Sequence, residues 1–224
     1  MKHIAIKFIV VFILCCSGIF AQTNEHNILH GIELCKQGKY NVGLFYLPSI
    51  KEEKDIPTQI KLRGEFYLQY AYYFSNDKRF SLNQLDSICE IYVPNDSVDL
   101  NLPRTIAYNL SKKGNYAMAL KYGKITTKWN ELVYGKKSIQ YAYALDNLSI
   151  RYTDINEYDS AMICAKKANN IIGRTIGINN IDYVKSLNNI ADIYLCTRKY
   201  SKSIKYFEKA KGYYACYRNR LNWT

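Results

Sequence analysis

Beyond the first 21 residues, side chains able to do chemistry are sparse. The only histidines there are His26 and His30. At i, i+4 spacing they can share a helix face with Glu33 one turn further on. Such a trio could hold zinc, or serve as surface and core residues. No His-Glu-x-x-His and no fourth ligand lie nearby, so no metal site is assigned. The sequence has no glycine-rich phosphate loop, nucleophile elbow or paired catalytic carboxylate. It therefore reads as a non-enzyme without a cofactor. Two asparagines recur in matched settings: Asn147 in LDNLSIRY (145–152) and Asn189 in LNNIADIY (187–194). A carboxamide both donates and accepts, as pairing with a peptide backbone requires.

A second candidate is electrostatic. Arg198, Lys199, Lys202, Lys205, Lys209, Lys211, Arg218 and Arg220 face a single acid, Glu208, near the C-terminal end. Helical spacing places Lys202, Lys205 and Lys209 on one face. That face is either simply solvated or meets an anionic partner or membrane surface. The whole chain has a formal charge of +12, which favours acidic partners without bearing on fold.

The elements that carry these residues follow from an internal repeat. Leu145 and Leu187, Asn147 and Asn189, Tyr152 and Tyr194, Tyr158 and Tyr200, and Ala168 and Ala210 are each 42 residues apart, and Tyr116 precedes Tyr158 by the same step. A fixed period of this size means stacked supersecondary units. Pro103–Lys136 forms the unit before these, with Pro103 in a first helical turn and Gly114 closing a helix. Thr23–Glu53 and Thr58–Val93 are looser units. Tyr40, Phe80 and Tyr116 align them at uneven steps, and Pro48 weakens the second helix of the first. Asn156 suits a left-handed turn position, whereas Arg198 does not, so its turn is expected to differ.

Met1–Gln22 reads as an export signal: Lys2 and Lys7, an apolar Phe8–Leu14, and a cut after Ala21. The apolar stretch is short for a permanent span. A lipid anchor through Cys15 or Cys16 and an uncleaved anchor are the alternatives. The expected localisation is therefore periplasmic or secreted. The five later cysteines, Cys35, Cys89, Cys164, Cys196 and Cys216, have irregular spacing and read as small buried hydrophobes rather than a disulfide framework. The nucleic-acid reading that the charge invites does not suit an exported protein.

These residues resemble tetratricopeptide (TPR) repeats. One unit supplies Leu145, Leu148-Ser149, Tyr152, Asn156, Tyr158, Ala161, Ala165 and Ala168. The next supplies Leu187, Ile190-Ala191, Tyr194, Arg198, Tyr200, Ser203, Phe207 and Ala210. The preceding one supplies Ile106-Ala107, Leu110, Gly114, Tyr116, Ala119 and Gly123. The period of 42 exceeds the usual 34 and resembles the long-helix subtype of kinesin light chains and some bacterial regulators.

The resemblance implies an all-α, right-handed α-solenoid of about five antiparallel helix pairs. Residues 1–21 would be the signal, 22–97 two degenerate units and 98–224 three well-matched ones. It further implies that the first helix of each pair lines a concave groove, with Asn147 and Asn189 contacting an extended peptide or else bonding neighbouring helices. Tyr143, Asp146, Ile150, Asp154, Lys185, Asn188, Asp192, Arg104 and Tyr108 would flank them. The expected function is an exported scaffold binding a protein or peptide. The alternative is the sensory input segment of a signalling kinase or transcriptional regulator. The aromatic cluster Tyr213, Tyr214, Tyr217, Leu221 and Trp223, with no polar capping helix after it, means either that the chain is a truncated relative of such a sensor or that this end meets a partner or a second copy.

Overall fold

The computed structural model describes residues 25–47, 50, 56–94 and 96–221. The leader, Pro48, most of the 51–57 linker and Trp223 lie outside them. Among the described residues the regular structure is helical, with no strand. After α1 (residues 25–36) come α2 (Tyr40–Tyr46), α3 (Thr58–Phe74), α4 (Leu82–Ile91), α5 (Asn101–Lys112), α6 (Tyr116–Tyr134), α7 (Ile139–Asp154), α8 (Tyr158–Thr175), α9 (Ile181–Cys196) and α10 (Tyr200–Leu221). None of these helices is long and apolar enough to cross a membrane. The chain divides into two compact units at Val93/Pro94.

Within both units the helices pair as hairpins, closed by one recurring turn. A single residue takes a left-handed backbone: Gly38, Asn76, Gly114, Asn156 or Arg198, with φ between 56° and 78°. At each, two crossed backbone hydrogen bonds close the helix. In α7, for example, Glu157 N–H donates to the Tyr152 carbonyl and Asn156 N–H to that of Thr153, at 2.9 and 3.0 Å. Lys199 to Tyr194 and Arg198 to Leu195 repeat the pattern, both at 2.9 Å. This arrangement satisfies carbonyls that the helix end would leave orphaned. Arg198 thus corrects the expectation of a different turn. The paired hydrogen bonds hold its backbone in the shared geometry despite the cost of a β-carbon there.

Counted by turn residue, the steps are 38, 38, 42 and 42. The alignment of Phe80 with Tyr40 and Tyr116 is therefore corrected. The second helix begins two residues after the turn residue in four hairpins, but α4 begins at Leu82, six after Asn76. The delay has a tertiary cause. Buried Gln69 on α3 accepts the Ser81 N–H at 2.9 Å and donates to Gln84 Oε1 at 2.9 Å, and Ser81 Oγ caps the Gln84 N–H. Phe80 instead sits edge-on to Tyr73, with ring centroids 5.0 Å apart.

In the second unit the hairpins α5–α6, α7–α8 and α9–α10 stack in chain order, α6 on α7 and α8 on α9. Small residues at the crossings, Ser149, Ala161, Ala165, Ala168 and Ala191, are fully buried. Their size lets helix axes approach, and larger side chains fill the spaces between hairpins. Ala142, Ile172, Tyr183, Val184, Leu187 and Ala210 form one such cluster. A lone hairpin cannot bury this surface, so stacking supplies the core. Side-chain caps from Asn115, Ser138 and Asn180 fix the starts of α6, α7 and α9.

Candidate functional site

The open side of the second unit holds a cleft of about 310 Å³ between α5 and α7, floored by α6. Arg104 and Tyr108 come from α5, Asn147, Leu148 and Arg151 from α7, and Gly123 and Thr126 from α6. A neighbouring hollow shares Arg104, Thr126, Ala144 and Asn147 and adds Tyr143, so the two form one trough. Arg104 and Tyr108 are one helical turn apart, as are Tyr143, Asn147 and Arg151, so each helix presents a single stripe.

Asn147 is exposed, and its amide has no hydrogen-bond partner among the described residues. Arg104 is exposed too; its Nη2 donates to Asn101 Oδ1 at 2.8 Å. Arg151 is more confined, its side chain only 13% exposed. Its stem lies against Gly123, where a β-carbon would stand 3.2 Å from Arg151 Cγ. Its Nη1 lies 3.1 Å from Asp154 Oδ2, yet alignment is poor and the buried N–H finds no acceptor. Asp154 also accepts from Ser111 Oγ at 3.0 Å, tying α5 to α7.

The other groove candidates separate by environment. Asn189 does not present a free amide: its Nδ2 donates to Asp146 Oδ2 at 2.7 Å, joining α9 to α7. Asp146 is largely buried at that junction, and its Oδ1 has no partner among the described residues. Burial pushes its carboxyl up to about 6; nearby Asp182 adds to the rise, and the Asn189 hydrogen bond opposes it. Tyr143 OH donates to Asp182 Oδ2 at 2.7 Å. Desolvation, then that hydrogen bond, raises Tyr143 to about 12. Asp182 is held low, first by the Tyr143 hydrogen bond and then by Lys185, whose Nζ lies 3.0 Å away. Ile150 is half-buried, and Asp192 is exposed with a carboxyl raised by partial desolvation. Lys185 and Asn188 line a different cleft, between α9 and α10.

Lys202, Lys205 and Lys209 are all exposed on α10. Lys202 and Lys209 lie over the rings of Tyr194 and Tyr213, at 5.7 and 5.9 Å. His26 and His30 are exposed, and His30 stands edge-on to Tyr46. No three His, Cys, Asp or Glu side chains gather as a metal site among the described residues. Cys35 and Cys89 are buried, and burial pushes the Cys35 thiol up to about 12. Cys196 and Cys216 are exposed, which corrects the reading of every cysteine as a buried hydrophobe.

No family model matches the sequence, and neither does any curated protein. Solved structures match at the level of fold. The TPR-like repeats of a putative kinesin light chain from Podosopora anserina share 12% identity and a TM-score of 0.57, over 85% of this chain and 94% of that one. MamA from AMB-1 gives 14% and 0.56, over 85% and 91%. A Rap protein complexed with competence and sporulation factor gives 16% and 0.50, over 90% of this chain and 56% of that one. The fold is TPR-like.

Within this TPR-like arrangement the stripes on α5 and α7 contain four residues marked by sequence, Arg104, Tyr108, Tyr143 and Asn147. Arg151 and Gly123 are the cleft residues whose roles sequence reasoning missed. A signal for Arg151 was present: it follows Asn147 by one helical turn. Gly123 was recognised for its repeat position, but its service to Arg151 depends on a neighbouring helix.

Proposed function

We propose that the second unit is a non-catalytic binding module that holds an extended segment of a partner protein along the α5–α7 trough. TPR-like stacks present continuous surfaces of this kind. The reading rests on one observation: an apolar-floored cleft edged by the unpartnered Asn147 amide and two guanidinium groups. The carboxamide would pair with a peptide backbone, and the arginines would favour acceptor groups beside it. Asn189 supports the trough indirectly, by tethering α9 to α7. The Rap protein's complex with its factor is consistent with such a use of the fold.

A photo-crosslinking side chain at position 147 tests this. It should capture a protein from the native cells that one at Ile163, exposed on α8, does not. Arg104→Glu should reduce capture at least tenfold without changing the melting transition. Equal capture from both positions would overturn the groove assignment. Export belongs to the same proposal and rests on the order of basic, apolar and small residues in Met1–Gln22. Secreted protein beginning at Gln22 is the expected result of N-terminal sequencing.

A further inference from the structure

The α5–α7 trough and the α7–α9 junction are successive copies of one helix seam, 42 residues apart. The later copy is closed, with α9 packed directly on α7. Asn189 Nδ2 on α9 donates to Asp146 Oδ2 on α7 at 2.7 Å. One turn along α9, Ile193 is 2% exposed and packs in a cluster with Ala165. In the earlier copy, Asn147 stands for Asn189, Arg104 for Asp146, Arg151 for Ile193 and Gly123 for Ala165. The asparagine is kept, and the groups that would close the seam around it are exchanged.

The exchange leaves donors without acceptors. With Arg104 where an aspartate stands in the later seam, the Asn147 amide has no partner among the described residues. Arg104 has no carboxylate partner among them either; its Nη2 donates to the Asn101 carboxamide oxygen. The core pair changes as a pair. Loss of the alanine methyl makes room for the arginine stem, since a β-carbon at Gly123 would stand 3.2 Å from Arg151 Cγ. A guanidinium thus occupies a position that is hydrocarbon one repeat later. A charge so confined is costly unless it is matched. Asp154 offsets part of it from 3.1 Å, but Arg151 Nη1 has no aligned acceptor. The trough therefore carries surplus positive charge and unused donors at a seam whose other copy holds a carboxylate.

We propose that the trough takes a side-chain carboxylate of the bound segment, an aspartate or glutamate, seated on the Asn147 carboxamide as Asp146 is seated on Asn189. This rests on the binding-module reading and specifies its ligand: the partner contributes the acid that the chain itself contributes one repeat later. Arg104 and Arg151 flank the seat and supply charge that a neutral amide on the ligand would leave unmatched. The apolar floor, Ala107 and Leu148, receives the uncharged neighbours of the acid. The template, Asp146, is an acid in mid-chain, so the fitting segment continues on both sides of its own.

The probe is a library of random twelve-residue peptides, displayed with the C-terminus joined to its carrier and selected on the full chain. Enriched peptides are expected to share an acidic residue at one fixed position. An amidated synthetic copy is then titrated by fluorescence anisotropy. Changing its acid to the amide should weaken binding at least tenfold, and Arg104→Gln should reproduce most of that loss. Gly123→Ala combined with Arg151→Ile rebuilds the later seam. It should weaken the acidic peptide at least fivefold, leave the amide peptide within about twofold, and melt no lower than the parent. Arg104 is exposed, so Arg104→Gln decides the matter should the double variant fail to fold. Enriched peptides with no shared acid, whose binding is lost on Asn147→Ala, would overturn the carboxylate seat and leave the groove reading standing. Enrichment of no peptide at all would overturn the groove reading and this proposal together. Acidic peptides indifferent to Arg104→Gln would place the acid elsewhere and overturn the seat. So would equal binding by a peptide whose only carboxylate is a free C-terminus, which would assign the trough to a chain end.

Discussion

Five residues past the turn residue, the first hairpin of the first unit has glycine, Gly43, where the hairpins of the second unit have Ala119, Ala161 and Ser203. At Gly43 on α2, a β-carbon would stand 2.5 Å from Cys35 Sγ and 2.9 Å from the Gly31 carbonyl oxygen. At the matching crossings of the second unit, Ala161 and Ala191 fit without exposure. The spaces left are filled differently too. Aromatic rings dominate the first unit: Phe66 stacks on Tyr92 at 4.6 Å, and Tyr40 on Phe74 at 5.5 Å. Aliphatic side chains and small polar ties dominate α7 to α10. Both units nevertheless share the left-handed turn. The turn is set by backbone hydrogen bonds, so it survives changes in filling that the packing positions do not.

The largest expected effect sharpens what the polar ties of the second unit cost. Asp146 ionises at about 6 rather than 3.8, mainly because α9 buries it. Between these values the folded chain holds a proton that the unfolded chain has released. This contribution to stability therefore rises as pH falls from about 7 towards 4, and the penalty is fully present only above about 7. Its size is on the order of 3 kcal/mol. Asp146→Asn should be more stable than the parent at pH 7.5, with the advantage shrinking by pH 4.5. Urea unfolding at the two pH values measures it. Equal pH dependence in both proteins would show that the carboxyl is solvated.

The next effect tests the glycine side of the comparison. In an open helix Gly→Ala stabilises by up to about 1 kcal/mol. At Gly43 the sign should reverse, with a loss of about 2 kcal/mol, because the Gly31 carbonyl and Cys35 must move. Ala161→Gly in the second unit should lose only about 1 kcal/mol, from helix propensity and a vacated methyl. If Gly43→Ala proves stabilising by thermal melting, the first hairpin has slack, and the contrast between the units is one of filling alone.

The same contrast explains what could be read from the chain before its structure. The hairpins α7–α8 and α9–α10 were legible because Tyr158, Ala161 and Ala168 recur as Tyr200, Ser203 and Ala210, and local spacing alone sets those contacts. The α3–α4 hairpin was legible only in part, because the α4 start depends on Gln69 reaching across from α3. Asn76 was hidden within Ser75–Asp77, where each residue is an ordinary turn former. At the candidate site, the stripe on α7 followed from helical periodicity. The engagement of Asn189 did not, since it depends on the burial of Asp146 by the neighbouring helix. Nor did the exposure of Cys196 and Cys216, which depends on what α9 and α10 leave uncovered.

The smallest expected effect asks whether the shared turn is equally unstrained in its five copies. Gly38 and Gly114 reach positive φ without a β-carbon, and Asn76 and Asn156 tolerate it. Arg198 does so at φ 57° with an exposed side chain. Arg198→Gly should therefore stabilise by about 1 kcal/mol, the relief of left-handed strain less the greater freedom of glycine in the unfolded chain. Gly114→Ala should cost a similar amount. Nothing lies within 4 Å of the β-carbon it would add, so backbone strain alone carries that cost. Urea midpoints of the two variants form a reciprocal pair. Opposite shifts of similar size would make the turn a common backbone device onto which side chains are fitted. A loss on Arg198→Gly would mean that the arginine makes a stabilising contact large enough to outweigh its strain, and that the last turn owes its geometry to a side chain rather than to the backbone.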